Sequence, residues 1–349
     1  MNHETVEMER MKKIKNWFNG KNEIPSRIHV NTTSKCNLKC KFCWQSIGKK
    51  NSNLEQISKN RILSLVKEAK ELGVLEWQLS GNGEPFCKID FTLPLMKKIK
   101  KYDMYGNVIT NGTMLNREII NDIVQMSWDY IMFSIDGPNA EIHDELRGVP
   151  GTFEKVVAAM KILVETKKSL NSNWPDFSIT TVINKKNYDK MSEMINLAHN
   201  LQCSGLILNL MVDYGFGSEL KLNEGEIFEF KKNIEKNINL AKELNLETNF
   251  NIFLEKNDIK EDHKITNPKC YEPWYNLAID ISGNVGPCCE RFNEKGQENI
   301  NNKTLKEIWF GEYFEKLRND MINGNLNKVC INCPLWHQNL ANKIKTSLI

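Results

Sequence analysis

The chain has 349 residues, enough for one large domain or two smaller ones, with 40% hydrophobic and 26% charged residues and a formal net charge of +3. Its acidic and basic residues are interspersed, which argues against nucleic-acid or membrane partners, and no run approaches the roughly 18 apolar residues of a membrane helix. Met1 to Gly20 carry no secretory signal, so the ten cysteines read as metal ligands of a cytoplasmic protein and not as disulfides.

In chain order, residues 1–25 are expected to form a helical extension. From residue 26 to 215, short β-type runs alternate with amphipathic stretches. The first strand, Ile28–Asn31, leads into Cys36-Asn37-Leu38-Lys39-Cys40-Lys41-Phe42-Cys43. Three thiolates on one short loop hold three irons of a [4Fe–4S] cube and leave the fourth open. Structural zinc is the alternative, but it needs a fourth ligand from elsewhere. A helical stretch, Asn60–Leu72, precedes the second strand, Leu75–Ser80, which ends in Ser80-Gly81-Asn82-Gly83-Glu84-Pro85. There Gly83 permits close backbone approach and Pro85 removes a competing donor. Asn107–Thr110 is the third strand, closed by Thr110-Asn111-Gly112, to which the sequence assigns no role; the helical stretch Asn116–Met126 follows. The fourth strand, Tyr130–Ile135, runs into Ser134-Ile135-Asp136-Gly137-Pro138 and then His143-Asp144-Glu145-Leu146-Arg147-Gly148. Helical Thr152–Lys167, strand Phe177–Ile183, helical Tyr188–Leu201 and strand Leu206–Leu210 complete the alternation. Such alternation implies βαβ units, a parallel sheet and a site at the carboxyl ends of its strands.

Residues 216–265 read as a connection: a charged helix over Glu224–Leu244, then the polar stretch Glu255–His263. Residues 266–340 form a different module, in which Cys270, Cys288, Cys330 and Cys333 are separated by 17, 41 and 2 residues. A hairpin turns at Gly283-Asn284, and Thr304-Leu305-Lys306-Glu307 is a capping box. It opens a helix with apolar Leu305, Ile308, Trp309, Leu317 and Met321. Four thiolates suit zinc and a second cube equally well.

The Cys-x3-Cys-x2-Cys spacing, with Phe42 before the last cysteine, resembles the signature of the radical S-adenosylmethionine superfamily. That resemblance implies an α/β fold, a partial (β/α)6 TIM-like barrel with a small C-terminal α+β SPASM/Twitch module. It also implies a chemistry: S-adenosylmethionine docks on the open iron, and one electron cleaves it to a 5′-deoxyadenosyl radical that abstracts hydrogen from substrate. Gly83-Glu84-Pro85 resembles the family's Gly-Gly-Glu-Pro element, whose backbone binds the methionine amino group, with Asn82 replacing its first glycine. The Ser134 to Gly148 run resembles that of the SPASM/Twitch group, which implies that Ser134 and Arg147 secure the methionine carboxylate or ribose. A helix-surface salt bridge is the plain alternative for Arg147, while His143 and Asp144 are expected to brace the loop.

The segment from Cys270 to Pro334, with Glu307-Ile308-Trp309, resembles the auxiliary-cluster module, and its cysteines match the one-cluster Twitch form with Cys288 preferred to Cys289. The auxiliary cluster is expected to accept an electron, so that a sugar-, aminocyclitol- or alcohol-like metabolite undergoes net two-electron oxidation. A flavodoxin- or ferredoxin-type donor would reduce the first cluster. The short stretch before the first strand favours this small-molecule substrate over a precursor peptide, whose epimerisation or crosslinking is the alternative; a zinc-binding, non-enzymatic module is the other. Cys87, Cys203 and Cys289 are either buried hydrophobes or a thiol hydrogen donor to a substrate radical.

Overall fold

The computed structural model describes residues 3–43, 56–211, 217–254, 270–289, 291–292, 294–331 and 333. The polar stretch Glu255–His263 and the expected domain boundary at 215/216 lie outside the described residues. In chain order the elements are α1 (His3–Phe18), β1 (Arg27–Asn31), α2 (Lys59–Leu72), β2 (Glu76–Ser80), α3 (Ile89–Lys101), β3 (Tyr105–Thr110) and α4 (Arg117–Gln125). There follow β4 (Tyr130–Ser134), α5 (Ala140–Arg147), α6 (Thr152–Ser169), β5 (Asp176–Ile183), α7 (Met191–Asn200), β6 (Gly205–Leu210), α8 (Glu224–Lys232), α9 (Ile234–Glu243) and β7 (Glu247–Thr248). The C-terminal part holds β8 (Asn276–Ile279), β9 (Val285–Gly286), α10 (Leu305–Trp309), α11 (Glu312–Ile322) and α12 (Lys328–Ile331). The chain divides into two compact units: Met1–Lys35 with Asn51–Val108 and Ile259–Ile349, and Cys36–Lys50 with Ile109–Asp258.

In the first unit, β1 is paired in parallel with β2 on one side and β8 on the other, and β9 closes the β8 hairpin antiparallel. The C-terminal hairpin therefore extends the same sheet as the first strand. Alternation decides which way each side chain faces. Ile28 and Val30 are fully buried on one face of β1, leaving His29 and Asn31 on the other. Helix α2 begins where the Ser58 side chain accepts the Arg61 N–H, and it buries Ile62, Leu65, Val66 and Ala69 at three- and four-residue steps. The N-terminal helix is tied to the sheet by a buried ion pair, Arg10 with Glu76. Arg10 and Arg27 lie 5.2 and 5.1 Å from the Tyr275 ring, which links that helix, β1 and the segment before β8.

In the second unit, β4, β5, β6 and β7 pair in parallel, in that order. Ile131, Phe133, Phe177, Ile179, Leu206 and Leu208 are buried, as are Ile120, Ile123, Val156, Met160, Leu163, Met194 and Ile195 on the accompanying helices. The charged helix expected over Glu224–Leu244 is two helices. Asn233 ends the first, its side chain donating to the Glu229 carbonyl at 2.9 Å and competing with the backbone ladder. In the first unit, the helix opened by the Thr304 capping box likewise stops at Trp309, because Gly311 is extended and starts α11 afresh. No helix among the described residues is long and apolar enough to cross a membrane.

Candidate active site

The Cys36–Cys43 loop, in the second unit, is pinned by its backbone. The Lys39 and Lys41 amides donate to the Arg147 and Leu146 carbonyls, at 3.1 and 2.9 Å, at the carboxyl end of α5. Gly148 follows in the left-handed region (φ 70°), and a Cβ there would stand 2.3 Å from the Lys39 carbonyl oxygen. Only glycine allows that approach. A Gly148→Ala variant should displace the loop; iron analysis should show loss of the first cluster with the auxiliary one retained.

Side chains complete the hold. Asn37 donates to Thr113 Oγ1 at 2.8 Å and accepts from Asn111 Nδ2 at 3.0 Å, while Asn111 Oδ1 takes the Thr113 hydroxyl at 2.7 Å. The Thr110-Asn111-Gly112 element, silent in the sequence, thus anchors the residue that follows the first cysteine. Cys40 is buried, and Arg147 Nη1 lies 3.7 Å from its sulfur. The other end of Arg147 meets Asp136 Oδ2 at 2.7 Å, with side chains 10% and 0% exposed, and its guanidinium carbon is 5.8 Å from the Phe42 ring centre. Arg147 is therefore an interior residue and not part of a helix-surface pair. Burial works against its charge, but the Asp136 carboxylate and the Cys40 and Cys36 sulfurs outweigh it and raise its pKa. Burial pushes the Cys40 thiol up; Arg147 opposes that, whereas Asp136 and Cys43 add to it. These influences place Cys36, Cys40, Cys43 and Arg147 in one electrostatic neighbourhood.

Ser134 ends β4 half-buried, opposite Thr180 of β5. His143 Nδ1 accepts the Asp136 amide at 3.2 Å, and Asp144 takes the Gly151 and Phe153 amides at 2.6 and 2.8 Å, so both brace the run between β4 and α6. Burial and the nearby Arg147 lower the His143 pKa to about 3; burial and Arg27 do the same to His29 in the first unit, whose Nε2 lies 2.7 Å from Ser80 Oγ. Both rings are neutral in the folded chain. A depressed folded pKa gives stability that is complete above the unfolded value of about 6.5 and is lost as pH falls toward about 3. Each histidine should contribute a slope of about 1.4 kcal/mol per pH unit once the pH is well below 6.5. Denaturation from pH 7.5 to 5 should show this, and a His143→Asn variant should flatten it.

In the first unit, the Glu84 amide donates to the Lys35 carbonyl at 2.9 Å, and a Cβ on Gly83 would stand 2.5 Å from that oxygen and 2.6 Å from the Thr33 carbonyl. The Gly83-Glu84-Pro85 turn is thus packed on the residues leading into Cys36. The buried Glu84 carboxylate turns back to accept the Phe86 amide at 3.2 Å, and Pro85 starts the 3-10 turn Pro85–Lys88. Asn31, at the end of β1 and 1% exposed, has neither side-chain amide atom hydrogen-bonded.

Also in the first unit, Cys270 and Cys330 share a hydrophobic cluster with Trp274 and Met321, and the Cys333 amide donates to the Cys330 carbonyl at 3.4 Å. Burial raises the Cys270 thiol pKa, and Glu272, Cys333 and Cys330 raise it further. The Cys288 carbonyl accepts the Arg291 amide at 3.3 Å, and Arg291 reaches Cys330. Cys288 and Cys289 are both half-buried. None of the ten cysteines forms a disulfide, and among the described residues no group of three or more His, Cys, Asp or Glu is gathered to hold a single metal ion. Cys87 lies within the Pro85–Lys88 turn; Cys203 is buried just before β6, at the strand's amino end.

The donor chemistry fits iron–sulfur ligation: three thiols on one loop after the first strand, four more in the segment that carries the C-terminal hairpin, and a glycine turn packed on the residues leading into Cys36. An α/β scaffold with such a donor set is built as iron–sulfur proteins are. The family model of the radical SAM superfamily matches residues 30–198, and that of the SPASM iron–sulfur cluster-binding domain matches residues 270–334. The chain belongs to the radical S-adenosylmethionine superfamily and carries a C-terminal SPASM domain. Its cofactors are accordingly S-adenosylmethionine, the [4Fe–4S] cluster that binds it, and auxiliary iron–sulfur chemistry. It is similar to the PqqA peptide cyclase of Granulibacter bethesdensis, 24% identical over 85% of this chain and 77% of the relative. It is also similar to the AdoMet-dependent heme synthase of Methanosarcina barkeri, 29% identical over 56% of this chain and 53% of the relative. The structure of Streptococcus suis SuiB bound to S-adenosylmethionine superposes with a TM-score of 0.69 at 16% identity, covering 95% of this chain and 76% of SuiB. The fold is thus the α/β partial barrel of that superfamily.

Proposed function

We propose that the protein is a peptide-modifying radical S-adenosylmethionine enzyme, acting on a precursor peptide by forming a crosslink or inverting a centre. The observation that carries this reading is the extent of the likeness to the peptide cyclase, which runs through both the barrel and the C-terminal module, whereas the likeness to the heme synthase covers little more than half of the chain. Oxidation of a sugar-like metabolite, the sequence's first expectation, has no comparable support.

In this reading Cys36, Cys40 and Cys43 hold the first cluster. Gly83, Glu84 and Pro85 offer backbone to the methionine moiety; Ser134 supplies a hydroxyl and Phe42 a ring. Arg147 secures the loop electrostatically, through Cys40, more than it reaches the cofactor. Cys270, Cys288, Cys330 and Cys333 hold the auxiliary cluster. When loaded, this assembly supplies a hydrogen-abstracting radical, and the protein's contribution is orientation and exclusion of water. An oxidoreductase outcome follows if the auxiliary cluster takes an electron from the substrate radical, and a flavodoxin- or ferredoxin-type donor would provide the initial one.

The test is anaerobic turnover with S-adenosylmethionine, a reductant and short peptide frames encoded near this gene. A peptide that loses two hydrogens, or exchanges one with deuterated solvent, supports the reading. Turnover of sugars or aminocyclitols with every peptide left unchanged contradicts it.

A further inference from the structure

A second guanidinium touches a cysteine in this chain, and nothing in the family assignment explains it. Arg291 Nη1 donates to Cys330 Sγ at 3.6 Å. The rest of the fork is committed elsewhere: Nε and Nη2 grip the Glu294 carboxylate at 2.8 and 2.7 Å. Glu294 is itself fixed by the Tyr313 hydroxyl at 2.8 Å and by Asn327 Nδ2 at 2.9 Å. Asn327 closes the ring by accepting the Cys330 amide at 2.9 Å, and Gln297 Nε2 holds the Arg291 carbonyl at 2.6 Å. The Arg291 side chain is only 12% exposed, so its charge acts through little water.

We infer that Arg291 is a positioning residue that sets the reduction potential of the auxiliary cluster, raising it by placing a fixed positive charge and an N–H on a ligand sulfur. Reduction adds one negative charge to the cluster. A cation beside a ligand sulfur stabilises the reduced form more than the oxidised one, and hydrogen bonds to sulfur are among the main determinants of cluster potential. Glu294 lies on the far side of the guanidinium, so its opposing charge acts from a greater distance. Its role is to aim the fork: with Nε and Nη2 occupied, Nη1 is left for the sulfur. A raised potential is what an electron-accepting cluster needs.

The inference rests on the reading of Cys330 as a ligand, and the experiment separates the two. In the full-length, reconstituted protein, an EPR-monitored redox titration should give an Arg291→Gln variant with an intact auxiliary signal and iron content but a lower midpoint potential. Arg291→Lys, which keeps the charge and loses the fork, should fall between it and the unaltered protein. If Arg291→Gln loads its cluster at an unchanged midpoint, the inference is overturned. If Arg291→Gln does not load, an unchanged midpoint in Arg291→Lys overturns it instead. If Cys330→Ser leaves the auxiliary signal and iron untouched, the ligand reading itself fails and the inference falls with it.

Discussion

Alanine at Cys36, Cys40 and Cys43 together is expected to lower the iron of the anaerobically reconstituted protein from about eight to about four per chain and to abolish cleavage of S-adenosylmethionine. The loop supplies every proposed protein ligand of the first cluster. The remaining iron should stay with the C-terminal cysteines, which hang on a separate framework: the β8–β9 hairpin, the Trp274 cluster and α11. Retention of all the iron would place the first cluster elsewhere. Zinc in place of iron in the unaltered protein would favour the binding-module alternative.

The second large effect concerns the charge pair behind Cys40. An Asp136→Asn variant keeps the shape but strands the Arg147 guanidinium, 10% exposed, without its carboxylate. Breaking a buried pair from one side costs about 3–5 kcal/mol, because the surviving charge must still be desolvated. Asp136 also accepts the Val182 amide at 2.9 Å, and its carbonyl accepts from Asn187, so the same residue ties the chain after β4 to β5 and to the segment that follows β5. Urea denaturation should show a lower midpoint at unchanged slope. A loss below about 1 kcal/mol, as for an exposed pair, would mean that solvent reaches Arg147.

Much of this arrangement is legible in the chain. β1, β2, β4, β5 and β6 fall within a residue or two of where alternation puts them, because apolar runs between amphipathic stretches have few other ways to bury themselves. The cysteine loop and the Gly83 turn are visible because their chemistry is local. α3 is masked by Pro94 and its lysines, and α5 by being short and carrying the His143 to Arg147 motif. The breaks at Asn233 and Gly311 depend on a side chain and a backbone conformation that periodicity does not register.

What sequence leaves out are polar partners far apart in the chain. Asn111 meets Asn37 across 74 residues, Arg147 meets Cys40 across 107, and Arg291 meets Cys330 across 39. Each is an ordinary surface-type residue until the fold assigns its neighbour. Cys203 shows the same limit from the other side: adjacency to β6 is readable, but which end of the strand matters is settled by the direction of the sheet.

The central claim is that the loop holds a cluster with one iron open to S-adenosylmethionine. Low-temperature EPR of the reduced protein, before and after addition of that cofactor, tests it most directly. The first-cluster signal should change its g values on addition, and the change should be absent when Cys36, Cys40 and Cys43 are alanine. A spectrum from the intact loop that is identical with and without the cofactor would contradict it.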